Sequence, residues 1–162
     1  MKKNYKIITL FLFILSVQSC FAQEKNSDLN LSYKKIFVRD NKITRSFIYN
    51  SKTAIYQVKQ LYPDGNYKTK TVTVNLTQKN IKEIHNLYLK LQLRNLHNCT
   101  FNDNNELFLS STISFNKNEN VDNLPCNTDW EDKEKYNQIE TKLYEFILPT
   151  YRLQFPDEYV QK

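Results

Sequence analysis

The sequence predicts an α+β domain: a mostly antiparallel sheet of five to six strands with two helices packed on one face. Three observations lead there. Several segments alternate apolar and polar residues with period two and are joined by short turns, which suits antiparallel strands. Two other segments repeat apolar residues every three to four positions, the period of an amphipathic helix. The length, 162 residues, suits one domain with a substantial core rather than two domains.

The first strand signal is residues 33–39, YKKIFVR, and the second is residues 43–49, ITRSFIY, after the turn-forming pair Asp40 and Asn41. Residues 53–62 and 67–76 supply the third and fourth, joined through Pro63, Asp64, Gly65 and Asn66. Proline presets φ for a turn and glycine accepts the positive φ that hairpin loops need, so the chain places its only glycine here. On the return strand Val72, Val74 and Leu76 share one face, while Thr69, Thr71, Thr73 and Asn75 occupy the other. The period then changes. Ile81, Ile84, Leu87, Tyr88 and Leu91 predict a helix over residues 78–93 with Thr77 as its N-cap.

Residues 96–105 read as irregular, and residues 106–115 alternate again, with Leu107, Leu109, Ile113 and Phe115 on one face. Residues 116–120 read as a polar turn and residues 121–124 as a short return strand. Thr128 and Glu131 have the spacing of a capping box. They open a second helix that runs to about Ile147, with Tyr136, Ile139, Leu143, Phe146 and Ile147 inward. Pro149 is expected to end it, because a proline has no N–H for the ladder. Residues 151–160 read as an aromatic tail.

The N-terminus reads as an address. Lys2, Lys3 and Lys6 precede an apolar run of 11 residues, 7–17, which is too short to span a bilayer as a helix. Residues 1–22 are therefore expected to be a signal peptide, residues 23–31 a flexible linker and residues 32–162 the single domain. Cleavage after Ala22 gives a periplasmic or secreted protein. The alternative is lipidation of Cys20, since Val17-Gln18-Ser19-Cys20 resembles a lipobox, and that gives a membrane-anchored lipoprotein. The signal segment holds three lysines and no acid, so its removal takes the formal charge from +6 to +3. With no basic stripe, that mild charge argues against nucleic acid as a partner.

Export delivers Cys99 and Cys126 to an oxidising compartment, where an even cysteine count reads as a disulfide. The competing readings are a Cys99 nucleophile beside His97 or His85, and a zinc site built from the same residues. A nucleophile must stay a reduced thiolate, and the sequence lacks C-x-x-C and H-x-x-x-H spacings. One glycine excludes glycine-rich phosphate loops and the G-x-S-x-G elbow. Ser110 and Ser111 leave a Ser-His-Asp triad open by count alone, and neither lies in a recognisable strained turn. Glu131, Asp132 and Glu134 cluster where acids favour a helix N-terminus. The oxygen-rich run of residues 102–106 lacks the glycine and distant glutamate of an EF-hand loop. No catalytic residue, metal or cofactor is assigned.

Aromatic residues are the compositional excess, 14% of the chain, and 11 of them are tyrosines. Surface tyrosines bring contact area at little entropic cost, and Tyr56, Tyr62 and Tyr67 are expected to gather around the hairpin as a binding site. The order of hairpin, helix, Cys99, alternating strand, Cys126 and helix resembles small uncharacterised exported domains of Bacteroidota, secreted or lipoprotein, over residues 45–147. The signal ending Ser19-Cys20-Phe21-Ala22-Gln23 is similar to signal ends of that group. The resemblance implies export and carries no activity to any residue. The expectation is a non-catalytic binding protein, with an inhibitor-like module as one form and a protein or glycan as partner. Membrane contact is expected only through a lipidated Cys20. The alternative is a small cell-envelope hydrolase using His85 or His97 with an acid.

Overall fold

A computed structural model describes residues 28–116 and 125–156. The signal segment with Cys20, most of the linker, the return strand of residues 121–124 and the end of the tail lie outside the described residues. Eight elements follow one another: β1 (Leu31–Arg39), β2 (Lys42–Asn50), β3 (Ile55–Leu61), β4 (Tyr67–Thr73), α1 (Gln78–Leu91), β5 (His97–Phe101), β6 (Leu107–Phe115) and α2 (Trp130–Gln154). The six strands form one sheet in the order β4-β3-β2-β1-β6-β5, and every pairing is antiparallel. The α+β class with an antiparallel sheet is thus the observed one. Among the described residues no helix is long and apolar enough to cross a membrane.

The turns follow from their residues. Asp40 and Asn41 both take positive φ, 51° and 56°, the conformation that a two-residue hairpin between right-twisted strands requires. Gly65 has φ of 80° and closes its turn with Gly65 N donating to Tyr62 O and Tyr62 N to Asn66 O. After the β1–β4 meander, α1 carries the chain to the opposite edge. There β5 and β6 form a hairpin whose second strand pairs with β1. The first strand therefore ends up inside the sheet.

That burial moves the start of β1. Leu31, expected in the linker, is fully buried, pairs with Phe115 and donates its N–H to Ser51 Oγ at 2.8 Å. Residues 97–101, read as irregular, are strand β5. Its other edge is met by the segment around Cys126: Asn127 N donates to His97 O at 2.8 Å, and Cys126 lies at disulfide distance from Cys99. A bridge across 27 residues is worth roughly 3–4 kcal/mol on the chain-entropy account.

The core is a ladder. Val72, Tyr56, Tyr49, Tyr33 and Ile113 sit side by side across five strands, all buried. α2 lies against this face, with Tyr151 meeting Tyr56 edge to face at 5.5 Å and Glu140 meeting Tyr33. Ile81 and Ile84 of α1 join the same buried cluster. Lys142 of α2 pairs with Glu83 of α1 at 2.8 Å, and His85 of α1 packs on Phe115.

Both helix starts are capped by side chains. Thr77 caps α1 as expected, in a reciprocal pair with Asn80. α2 starts one residue later than the Thr128–Glu131 box suggested. Its N-cap is Asp129, whose carboxylate accepts from Asp132 N at 2.7 Å. Glu131 pairs instead with Lys135, one turn on. Nor does Pro149 end α2, which continues to Gln154. The missing ladder bond is offset by burial beyond it, since Tyr151 is enclosed by Tyr56 and Phe155.

Leu143 is fully buried on α2, whereas Leu153 is 85% exposed near its end. Leu143→Ala is expected to cost about 2–5 kcal/mol, and Leu153→Ala less than about 0.5 kcal/mol. Urea unfolding midpoints measured for both variants check this.

Candidate functional site

Helical spacing places Tyr136, Glu140 and Tyr144 one turn apart on a single stripe of α2. That stripe faces Tyr33 and Lys35 of β1 and Ser111 of β6. Glu140 Oε1 accepts from Tyr33 Oη at 2.8 Å and from Ser111 Oγ at 2.6 Å, while Oε2 accepts from Lys35 Nζ at 2.8 Å. The Ser111 hydroxyl also lies 2.7 Å from Tyr136 Oη, and Tyr144 Oη hydrogen-bonds Tyr33 Oη. An acid buried between sheet and helix is tolerated because a cation and two hydroxyls compensate it.

Burial, with Tyr144 and Glu140 nearby, pushes the Tyr33 hydroxyl well above the ordinary phenol range. Burial first, then the Glu140 carboxylate, does the same for Tyr136. Glu140 is thus held in bonds already made on both oxygens, an arrangement suited to joining elements rather than to taking a proton from a substrate.

A groove runs along α2 beside this network. Its volume is about 490 Å³, and its walls include Lys35, Phe37, Phe47, Tyr144, Leu148 and Arg152. Across Lys35, Asn137 and Glu140 lies a second hollow of about 320 Å³, bordered by Asn98, Ser111, Lys133 and the 79% exposed Trp130. Phe37 also borders a third depression, with Arg45, Gln60, Tyr62, Pro63 and Phe108. The Arg45 guanidinium stacks 4.8 Å over the Phe47 ring, and its Nε is buried with no hydrogen-bond partner among the described residues. Neighbouring hollows therefore run from the start of α2 to the β3–β4 hairpin, with Lys35 shared by the first two and Phe37 by the first and third.

The three expected tyrosines do not form one patch. Tyr56 is fully buried in the core ladder, with Val72 and Tyr49 beside it. Strand parity places Tyr62 with Tyr56, Val58 and Gln60, at the end of the groove, where Lys68 Nζ lies 4.3 Å over its ring. Tyr67 pairs with Leu61 on the opposite face. It donates to Ile43 O at 2.7 Å and carries Lys59 4.3 Å over its ring.

His85 packs between Phe115 and Tyr88, and burial lowers its pKa. His97 Nε2 is 2.9 Å from Ser110 Oγ and 3.4 Å from Cys99 Sγ. The ligand atoms of His97, Cys99 and Cys126 lie within 4.8 Å of one another, but paired sulfurs offer no thiolate to a metal. Asn102 Oδ1 in the oxygen-rich run accepts from Asn104 N and Glu106 N, which makes that run a self-bonded hairpin turn. Comparison with protein-family models finds no match, and none of the curated proteins matches either.

The sequence reading did not single out Glu140 or Lys35. The available signal was an acid inside an apolar stripe, between Ile139 and Leu143.

The raised phenols give a pH dependence with a definite sign. An unfolded tyrosine ionises near pH 10, whereas folded Tyr33, Tyr56 and Tyr136 retain their protons above it. Their contribution is fully present below pH 10. It is lost as pH rises further, by about 1.4 kcal/mol per pH unit for each residue. Unfolding followed by phenolate absorbance is expected to show these three ionising only as the chain unfolds. Full phenolate absorbance from a still folded chain contradicts it.

Proposed function

We propose that this chain is an exported, non-catalytic binding protein of the kind its resemblance to Bacteroidota domains suggests. The groove along α2 receives the partner. The observation that supports the reading is the groove itself: Phe37, Phe47 and Tyr144 offer aromatic walls, and Lys35 and Arg152 add charged groups to the lining. Such a mixture of apolar walls with a few fixed polar groups is the usual form of a binding site. Through Phe37 the surface reaches Tyr62, so the hairpin remains part of the proposed site. Tyr67, on the other face, would serve a different contact. The partner is a protein segment or a glycan, and an inhibitor-like role would place this surface against another protein's cleft. In its exporting host the chain would begin at Gln23, or at a lipidated Cys20.

One observation favours the alternative, a small cell-envelope hydrolase. Ser110 Oγ lies at hydrogen-bond distance from His97 Nε2, the geometry of a nucleophile and its base. A fluorophosphonate probe separates the readings. Labelling that disappears in Ser110→Ala would support the hydrolase and contradict the binding protein.

For the binding reading, nuclear magnetic resonance titration with panels of short peptides and oligosaccharides is expected to shift signals of Phe37, Phe47, Tyr62 and Tyr144. Phe37→Ala is expected to weaken that binding roughly tenfold or more, the cost of truncating a buried aromatic contact. Tyr67→Ser should leave it unchanged. Shifts confined to other surfaces would contradict the site.

A further inference from the structure

The two edges of the sheet are finished differently. At one edge β5 is met by the chain around Asn127, with a backbone hydrogen bond to His97 O and a disulfide from Cys99 to Cys126. At the other edge the strand order ends at β4. Asn66 O and Val74 N both turn toward β3, bonding Tyr62 N and Ala54 O. The two-residue alternation of an antiparallel ladder then turns Lys68, Lys70 and Val72 the same way. Tyr67, Thr69, Thr71 and Thr73 direct their N–H and C=O groups away from the sheet.

This edge has the features that allow another strand to add. Its pairing with β3 runs through seven consecutive residue pairs without a register shift, so no bulge twists it away. It contains no proline, and its outward-directed positions are tyrosine and threonine, good strand formers. Lysines often guard such edges. Here Lys68 Nζ is drawn over the Tyr62 ring and Lys70 Nζ over the Phe155 ring, at 4.3 and 5.0 Å. They lie along the face rather than across the edge.

Charge selects the occupant. β3 and β4 carry Lys59, Lys68 and Lys70 and no acid. Two copies pairing β4 to β4 would bring Lys68 and Lys70 of each against those of the other, which disfavours self-association. We propose that β4 is a docking edge for an extended acidic segment of a partner protein, added as a seventh strand. Acids two residues apart on that segment would lie beside Lys68 and Lys70. This surface adjoins the groove region only where Lys68 covers the Tyr62 ring, and its backbone edge does not depend on the groove.

The test uses the full chain and two capped seven-residue peptides, one alternating glutamate with threonine and one alternating lysine with threonine. Amide exchange is followed residue by residue. The expected result is protection of the Tyr67, Thr69, Thr71 and Thr73 amides by the glutamate peptide alone. Thr71→Pro removes an outward N–H without touching the β3 ladder and is expected to weaken binding roughly tenfold, the loss of one to two hydrogen bonds. Lys68→Glu combined with Lys70→Glu is expected to exchange the preference for the lysine peptide, a result that unfolding cannot mimic. Four outcomes would overturn the proposal: no protection, protection elsewhere, equal response to both peptides, or protection already present without peptide.

Discussion

The structure turns on one buried carboxylate. Glu140 reaches from α2 into the sheet and accepts from Tyr33, Ser111 and Lys35, so a single side chain ties a helix to two adjacent strands. Apolar contacts from Ile139, Leu143 and Ile147 supply most of the attraction between the layers, but they set position only loosely. A desolvated acid tolerates no slippage, because losing any of three donors leaves charge or lone pairs uncompensated in the interior. The same geometry produces the groove. Of its lining residues, Lys35 is held by Glu140 and Tyr144 by Tyr33.

Chain order makes that constraint necessary. β1 is the first strand and lies between β2 and β6, so the sheet is complete only after β6 has formed. α2 comes later still, and it covers β1, β3 and β6 together. The fold therefore depends on contacts far apart in sequence, such as Tyr33 with Glu140 and Leu31 with Phe115. The disulfide helps at the weak side. It fixes the segment before α2 against β5, the last strand of the ordering.

Much of the local structure was legible because short-range chemistry decides it. Asp40-Asn41 makes a tight hairpin, Gly65 meets the positive φ of its turn, and Thr77 caps α1, all within a few residues of chain. What escaped reading depends on distant partners. β5 has little apolar alternation of its own and is a strand because β6 pairs with it. Pro149 reads as a stop, yet Tyr151 is buried deeply enough to carry the helix past it. Glu140 stands out in the sequence only as an acid within an apolar stripe, and its partner Lys35, about a hundred residues earlier, is brought beside it only by the fold. Tyr56 is the instructive case for the site. It shares strand parity with Val58, which already marked it as inward, whereas its neighbours in the expected patch divide between the two faces. Composition pointed to aromatics, and parity sets the face each tyrosine takes. Distance along the strand from the core then leaves Tyr62 half-buried while Tyr56 is buried.

The central claim is that the Lys35–Glu140 contact sets how α2 docks. A double-mutant cycle with Lys35→Met, Glu140→Gln and both together, read by urea unfolding, tests it most directly. The account predicts that Glu140→Gln alone costs about 1–3 kcal/mol, because it takes the charge partner from the half-buried Lys35 ammonium. It further predicts that the pair recovers a coupling of at least about 1.5 kcal/mol, as Lys35→Met removes the stranded charge. Effects that add to within about 0.5 kcal/mol would contradict the claim and leave α2 held by apolar packing alone.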